Sequence, residues 1–202
     1  MTTIASALLF CLPGLSTPHQ PLRVELTIQG AAAPPAFVAA AIEEAADIWA
    51  AYGVRIRVPK SHDAAYDGAV RLVVKLASPG ERPTAPGALG SIVFNGESPE
   101  PTIELYPTVA SALIAAVAFN HRENAWPAGP QDRVLARVLG RALAHEIGHF
   151  LLRSKNHSRG GLMRAEQIGS DLTAPGHHGF SLSPDEIRRF HAILSASVEQ
   201  PE

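Results

Sequence analysis

Residues 145–163 read HEIGHFLLRSKNHSRGGLM. On an α-helix, His145 and His149 lie one turn apart and about 40° from eclipsed, so both imidazoles reach a single point beside the helix. Neutral imidazole is a good ligand for Zn2+. Glu146 stands beside the first histidine, where its carboxylate reaches a water held by such an ion and takes its proton as general base. The pentapeptide His-Glu-Ile-Gly-His is thus the pattern of metal-assisted hydrolysis, provided that it lies on a helix. The plainer alternative is a helix with two surface histidines and a glutamate. Gly148 speaks against it: a glycine inside a helix costs about 1 kcal/mol relative to alanine, and is explained if another group must approach closely there.

A helix is expected from about 131 to 152. Asp132 sits in its first turn, and Val134, Leu135, Val138, Leu139, Ala142, Leu143 and Ile147 form a broad apolar stripe. A catalytic zinc usually takes three protein ligands and keeps one position for water. His157, eight residues beyond His149, is the expected third ligand. Asn156 before it tolerates the left-handed conformation that would turn the chain back. Glu166, Asp171, His177 and His178 are the alternatives by ligand type and reach, and His177-His178 would otherwise face the cleft or sit in a solvated loop. His19, His62, His121 and His191 have no partner spacing and read as surface residues. Gly160-Gly161 ahead of Leu162-Met163 favours a tight turn that carries Met163, although methionine also serves as ordinary core filling.

Outward from this segment, Arg23–Gln29, Val54–Val58, Val70–Leu76, Leu89–Phe94 and Thr102–Tyr106 read as five strands from alternation and β-branched content. Pro34-Pro35 opens a long helix with Phe37, Val38, Ala41, Ile42, Ala45, Ile48 and Trp49 inward and Glu43, Glu44 and Asp47 outside, ended by Gly53. Val109–Phe119 reads as a short apolar helix, and Asn120–Pro130 as a polar loop with Arg122 and Trp126. The stretch from Ser154 to Phe180 shows no period. A final helix starts at Ser183-Pro184-Asp185-Glu186, where Ser183 and Glu186 are spaced as a capping box, and runs to about Ser197 with Ile187, Phe190 and Leu194 inward.

His145 to Met163 resembles the zinc-binding segment of metzincin metallopeptidases, the matrixin branch in particular. The matching residues are His145, Glu146, His149, His157 and Met163, with Ser158 after the third histidine and Leu182–Ile187 resembling the start of the family's last helix. The match is specific over about 145–195 and architectural before that. The resemblance implies zinc held by the three histidines, a methionine turn beneath it, and peptide or protein substrates. It also implies a sheet-edge strand, here at Gly90, Ser91 and Ile92, that pairs with the extended substrate backbone; an ordinary strand is the alternative. This sequence departs from the pattern in four ways. The third histidine comes two residues later than in the family, with Lys155 at the usual position. Leu152 replaces the glycine at the helix turn. Ala165 stands where some members carry a tyrosine, and the latency cysteine motif of the matrixins does not occur.

With 202 residues, 46% apolar and 18% charged, the chain is long enough for one domain with a substantial core. A net charge of −2 and no run of like charge give no reason to expect a nucleic-acid partner. Cys11 is the one cysteine, so no intrachain disulfide forms. The apolar run Ile4–Leu15 is too short to span a bilayer and reads as a leader over residues 1–18, ahead of a single domain over 19–202. The expectation is export to the periplasm or medium. No Lys or Arg precedes the run, which keeps a cytoplasmic location as the alternative. The composite expectation is a zincin-like α+β domain with a twisted mixed sheet of about five strands, two long helices and a C-terminal helix, acting as a zinc-dependent endopeptidase. Its rivals are a non-catalytic binding module braced by zinc and a hydrolase of small amides or esters. A structural zinc site would normally add cysteines or a fourth protein ligand.

Overall fold

In the computed structural model, residues 20–30, 34–60, 67–120 and 131–198 are described. The expected leader over 1–18, the loop with Arg122 and Trp126, and His19, His62 and His121 lie outside them. The described chain is an α+β fold. Its elements run β1 (Leu22–Gly30), α1 (Pro35–Ala50), β2 (Val54–Arg57), β3 (Val70–Leu76), β4 (Gly90–Asn95), β5 (Ser98–Leu105), α2 (Pro107–Asn120), α3 (Gln131–Leu151), α4 (Gly169–Thr173) and α5 (Pro184–Val198). All five expected strands form one sheet in the order β2-β1-β3-β5-β4. β2, β1, β3 and β5 run parallel to one another, while β4 pairs antiparallel with β5 and forms one edge.

The register explains which face is buried. Ile28, Val74, Ile103 and Ile92 line up across four strands, and Gly30, Leu76, Leu105 and Gly90 form the next row on the same face. These rows meet α1 and α3 in one apolar core. The intervening row, Gln29, Lys75, Glu104 and Ser91, points the other way, as period-two alternation requires. Polar strand residues are not all solvated: Glu25 is buried against Arg57 at 2.7 Å, with Arg71 at 3.7 Å.

Helix α1 packs along α3 more extensively than any other pair of elements. Trp49, fully buried near the end of α1, donates its indole N–H to the Ala144 carbonyl at 2.9 Å, one residue before His145. Gly53 closes the turn after α1 in the left-handed region, φ 72°. One expectation for this helix fails. Glu44 is not outside: it accepts from the Arg141 guanidinium of α3 at 2.7 Å. The capping box of α5 is formed, with the Ser183 amide donating to the Glu186 carboxylate at 2.6 Å and the Glu186 amide to the Ser183 hydroxyl at 3.3 Å. The irregular stretch contains the one-turn helix α4, too short to show a period. Among the described residues, no helix is long and apolar enough to cross a membrane.

Gly140 sits where the two long helices touch. A Cβ there would lie 2.5 Å from the Ala41 carbonyl oxygen and 2.6 Å from the Glu44 Cβ. Gly140→Ala must push α1 away from α3, and overpacking of this kind costs more than alanine's helix propensity returns. Urea unfolding should show a loss of about 1–3 kcal/mol.

Candidate metal centre

The last two turns of α3 present His145 and His149, and the chain then reverses. The reversal is a Schellman-type ending: the Arg153 amide bonds to the Phe150 carbonyl and the Ser154 amide to the His149 carbonyl. The residue in the left-handed conformation is Arg153, φ 45°, not Asn156. Glycine normally takes this place because a Cβ is disfavoured there. The turn returns the chain so that His157 meets the helix pair. Ring centroids are 4.7 Å apart for His145–His149, 5.3 Å for His145–His157 and 4.8 Å for His149–His157. One nitrogen from each ring lies within 4.8 Å of those of the other two, and this is the one such metal-capable group among the described residues.

The outer nitrogens settle the tautomers. His145 Nδ1 lies 2.7 Å from the Leu162 carbonyl, and His149 Nδ1 lies 2.6 Å from the Ser154 carbonyl. A carbonyl only accepts, so both Nδ1 atoms carry the proton. Both Nε2 atoms therefore present lone pairs, and they face each other at 3.0 Å. Burial, aided by His149, holds His145 down at about 4; burial also lowers His149 and His157. At neutral pH the rings are uncharged. Two lone pairs at this separation repel unless a cation accepts both, and three imidazoles, two of them with their outer nitrogens satisfied by backbone carbonyls, are a donor set that suits zinc.

Glu146 is 7% exposed and lines the same cleft. Burial pushes its carboxyl up to about 8; a nearby cation favours the ionised form. The backbone of β4 passes directly over it: a Cβ on Gly90 would come within 3.0 Å of Glu146 Cγ and 3.2 Å of its Oε1. The cleft encloses about 650 Å³ and is bordered by Gly90, Ser91, Ile92 and Phe94 of β4 on one side and by Ala165, Glu166 and Gln167 on the other. Ser91 turns its hydroxyl to the Tyr106 phenol at 3.1 Å, and that phenol donates to Glu104 at 3.0 Å.

The alternative third ligands stand elsewhere. Glu166 borders the cleft but is exposed and outside the nitrogen cluster. Asp171 lies on α4, where its carbonyl accepts from Arg141. His177 Nε2 sits 3.3 Å from the Glu44 carboxylate, on the α1 side, and His178 is exposed. His191 is exposed on α5.

Three supporting residues were not anticipated from the sequence. Arg141, 1% exposed, binds Glu44 and the carbonyls of Asp171 and Gly176 and lies 4.5 Å from the Phe180 ring centre. Arg137 donates to the Thr173 carbonyl at 2.9 Å. Gln167 gathers the carbonyls of the turn before it. A signal for two of them was present: Arg137, Arg141, His145 and His149 recur every four residues, so the arginines extend the same helix ridge as the histidines.

No family model and no curated protein sequence matches the chain. Among solved structures it is similar to the crystal structure of archaemetzincin from Methanopyrus kandleri, with a TM-score of 0.50 over 90% of this chain and 99% of that one, at 11% sequence identity. The fold is metzincin-like. Within that fold the reason for Gly148 is plain. A Cβ there would lie 2.3 Å from Met163 Sδ, so the glycine admits the buried methionine beneath the histidine helix. Gly148→Ala should therefore destabilise the protein by about 1–3 kcal/mol in denaturant unfolding. In a Met163→Ala background the same change should cost much less, because the obstructing sulfur is gone and alanine is the better helix former.

Proposed function

We propose that this chain is a zinc-dependent hydrolase of the H-E-x-x-H type, and that it acts as an endopeptidase. The observation that carries the reading is the pair of Nε2 lone pairs of His145 and His149, locked face to face at 3.0 Å by two backbone carbonyls, with His157 completing the set. A cation relieves that arrangement, and the two histidines lie at the largely buried end of α3, not on a solvated helix face.

His145, His149 and His157 would hold the ion, at the cleft that all three border. The chemistry that zinc supplies when bound is Lewis acidity toward a water and a carbonyl oxygen. Glu146 takes the proton from the attacking water and returns it to the departing amine. Gly90 keeps the strand above Glu146 free of side chain, which leaves the carboxylate its place in the cleft. Strand β4, at the sheet edge and bordering the cleft, offers its backbone to an extended peptide by strand addition. That edge favours peptide over small amides or esters, and an intact Glu146 beside a three-ligand site favours catalysis over a structural brace. Ala165 provides no phenol for a developing oxyanion, and a bound metal would supply the Lewis acidity there.

The test is cleavage of a mixed peptide library by the zinc-loaded protein, with and without chelator, beside Glu146→Ala. Wild-type cleavage should disappear with chelator and fall by about 10²–10⁴ in kcat with the mutation, while zinc affinity survives it. If zinc-loaded wild type cuts no more than the mutant, the peptidase reading falls. Gly90→Ala separates the two functions of the site: the backbone there is ordinary, and the added methyl would press on Glu146 and on the Leu105 side chain but on none of the histidines. It should lower kcat by about tenfold or more and leave zinc affinity unchanged.

A further inference from the structure

We propose that Gln167 is a positioning residue for the metal centre, acting on His145 through the Leu162 carbonyl. The inference rests on the metal reading above. Gln167 Nε2 lies 3.1 Å from the Gly161 carbonyl, 3.2 Å from that of Leu162 and 3.4 Å from that of Arg164. All three neighbours are acceptors, so the amide nitrogen, not its oxygen, faces them. The Leu162 carbonyl also receives His145 Nδ1 at 2.7 Å. Its two lone pairs are thus divided between the metal-facing histidine and the glutamine.

The preceding peptide, between Gly161 and Leu162, is fixed as well. The Leu162 amide donates to the Ser181 carbonyl at 2.8 Å, and Gly161 takes φ 79° where a Cβ would lie 2.2 Å from that same oxygen. Three carbonyls from one short turn converge on a single point, and their dipoles oppose one another. Two N–H groups at that point let the turn keep its shape and aim the Leu162 oxygen at His145. The direction of that oxygen sets both the tautomer and the ring angle of His145, and therefore where its Nε2 points. Gln167 lies outside the nitrogen cluster and acts on the carbonyl that holds His145, so it governs the aim of one ligand.

Gln167→Met keeps length and bulk without a donor, and Gln167→Leu is a second such variant. Zinc affinity of the full chain should be measured by competition with a chromophoric chelator, beside wild type and His145→Ala. Thermal unfolding of each metal-free protein and the visible spectrum with Co2+ complete the set. Both Gln167 variants should lose about 10–100-fold in zinc affinity, the range typical of outer-sphere partners of a ligating histidine, and the Co2+ bands should shift in position. A mere brace of the turn would lower the metal-free Tm and leave the affinity and the Co2+ bands as in wild type, and that result overturns the proposal. If wild type binds zinc no better than His145→Ala, the metal site itself fails and this inference with it. If wild type binds and His145→Ala does not, while both Gln167 variants match wild type, only the positioning role fails.

Discussion

Every fourth residue of α3 from Arg137 to His149 donates a side-chain hydrogen bond to a backbone carbonyl of the chain that follows. His149 bonds Ser154, His145 bonds Leu162, Arg141 bonds Asp171 and Gly176, and Arg137 bonds Thr173. The returning chain is thereby laid back along the helix, from its C-terminal end toward its middle. A segment with almost no secondary structure of its own has few backbone partners, and burying its carbonyls unsatisfied would be costly. The helix ridge satisfies them. Candidate metal site and scaffold share one device, since histidines and arginines alike donate to these carbonyls, but each uncharged imidazole keeps a second nitrogen whose lone pair a guanidinium lacks.

That device depends on the close approach of α1. Gly140 lets the helices touch, Trp49 caps the Ala144 carbonyl, and Glu44 neutralises the buried Arg141 while also meeting His177. A guanidinium at 1% exposure is tolerable only with such a partner and with its remaining N–H groups bonded. The carboxylate of α1 therefore helps to hold the cleft wall, although it never reaches the cleft. Met163 serves the opposite side: its sulfur fills the space left by Gly148 and fixes the height of the turn whose carbonyl orients His145.

Much of this was legible in the residues. The five strands, both long helices and the capped final helix followed from period and punctuation, with Val70–Leu76 matched at both ends and no strand end off by more than four residues. His145, Glu146 and His149 followed from spacing on a helix. His157 was named from its reach, and the turn that brings it in uses Arg153, a residue with no sequence preference for the left-handed conformation. Glu44 looked solvent-facing because its partner lies 97 positions away. Gln167 carried no signal at all, since its role consists of three carbonyls, and every residue type has one.

By itself the sequence determined what acts locally: the side-chain periods that choose helix or strand, the glycines that permit close approach, and two histidines and a carboxylate on one turn of helix. Tertiary structure decided the rest. It made β4 the edge strand, laid Gly90 over Glu146, brought His157 and not Glu166, Asp171 or His177 beside the two helix histidines, and turned two Nε2 atoms toward each other. These are relations between groups far apart in the chain, held by backbone carbonyls whose direction depends on how the whole chain is packed.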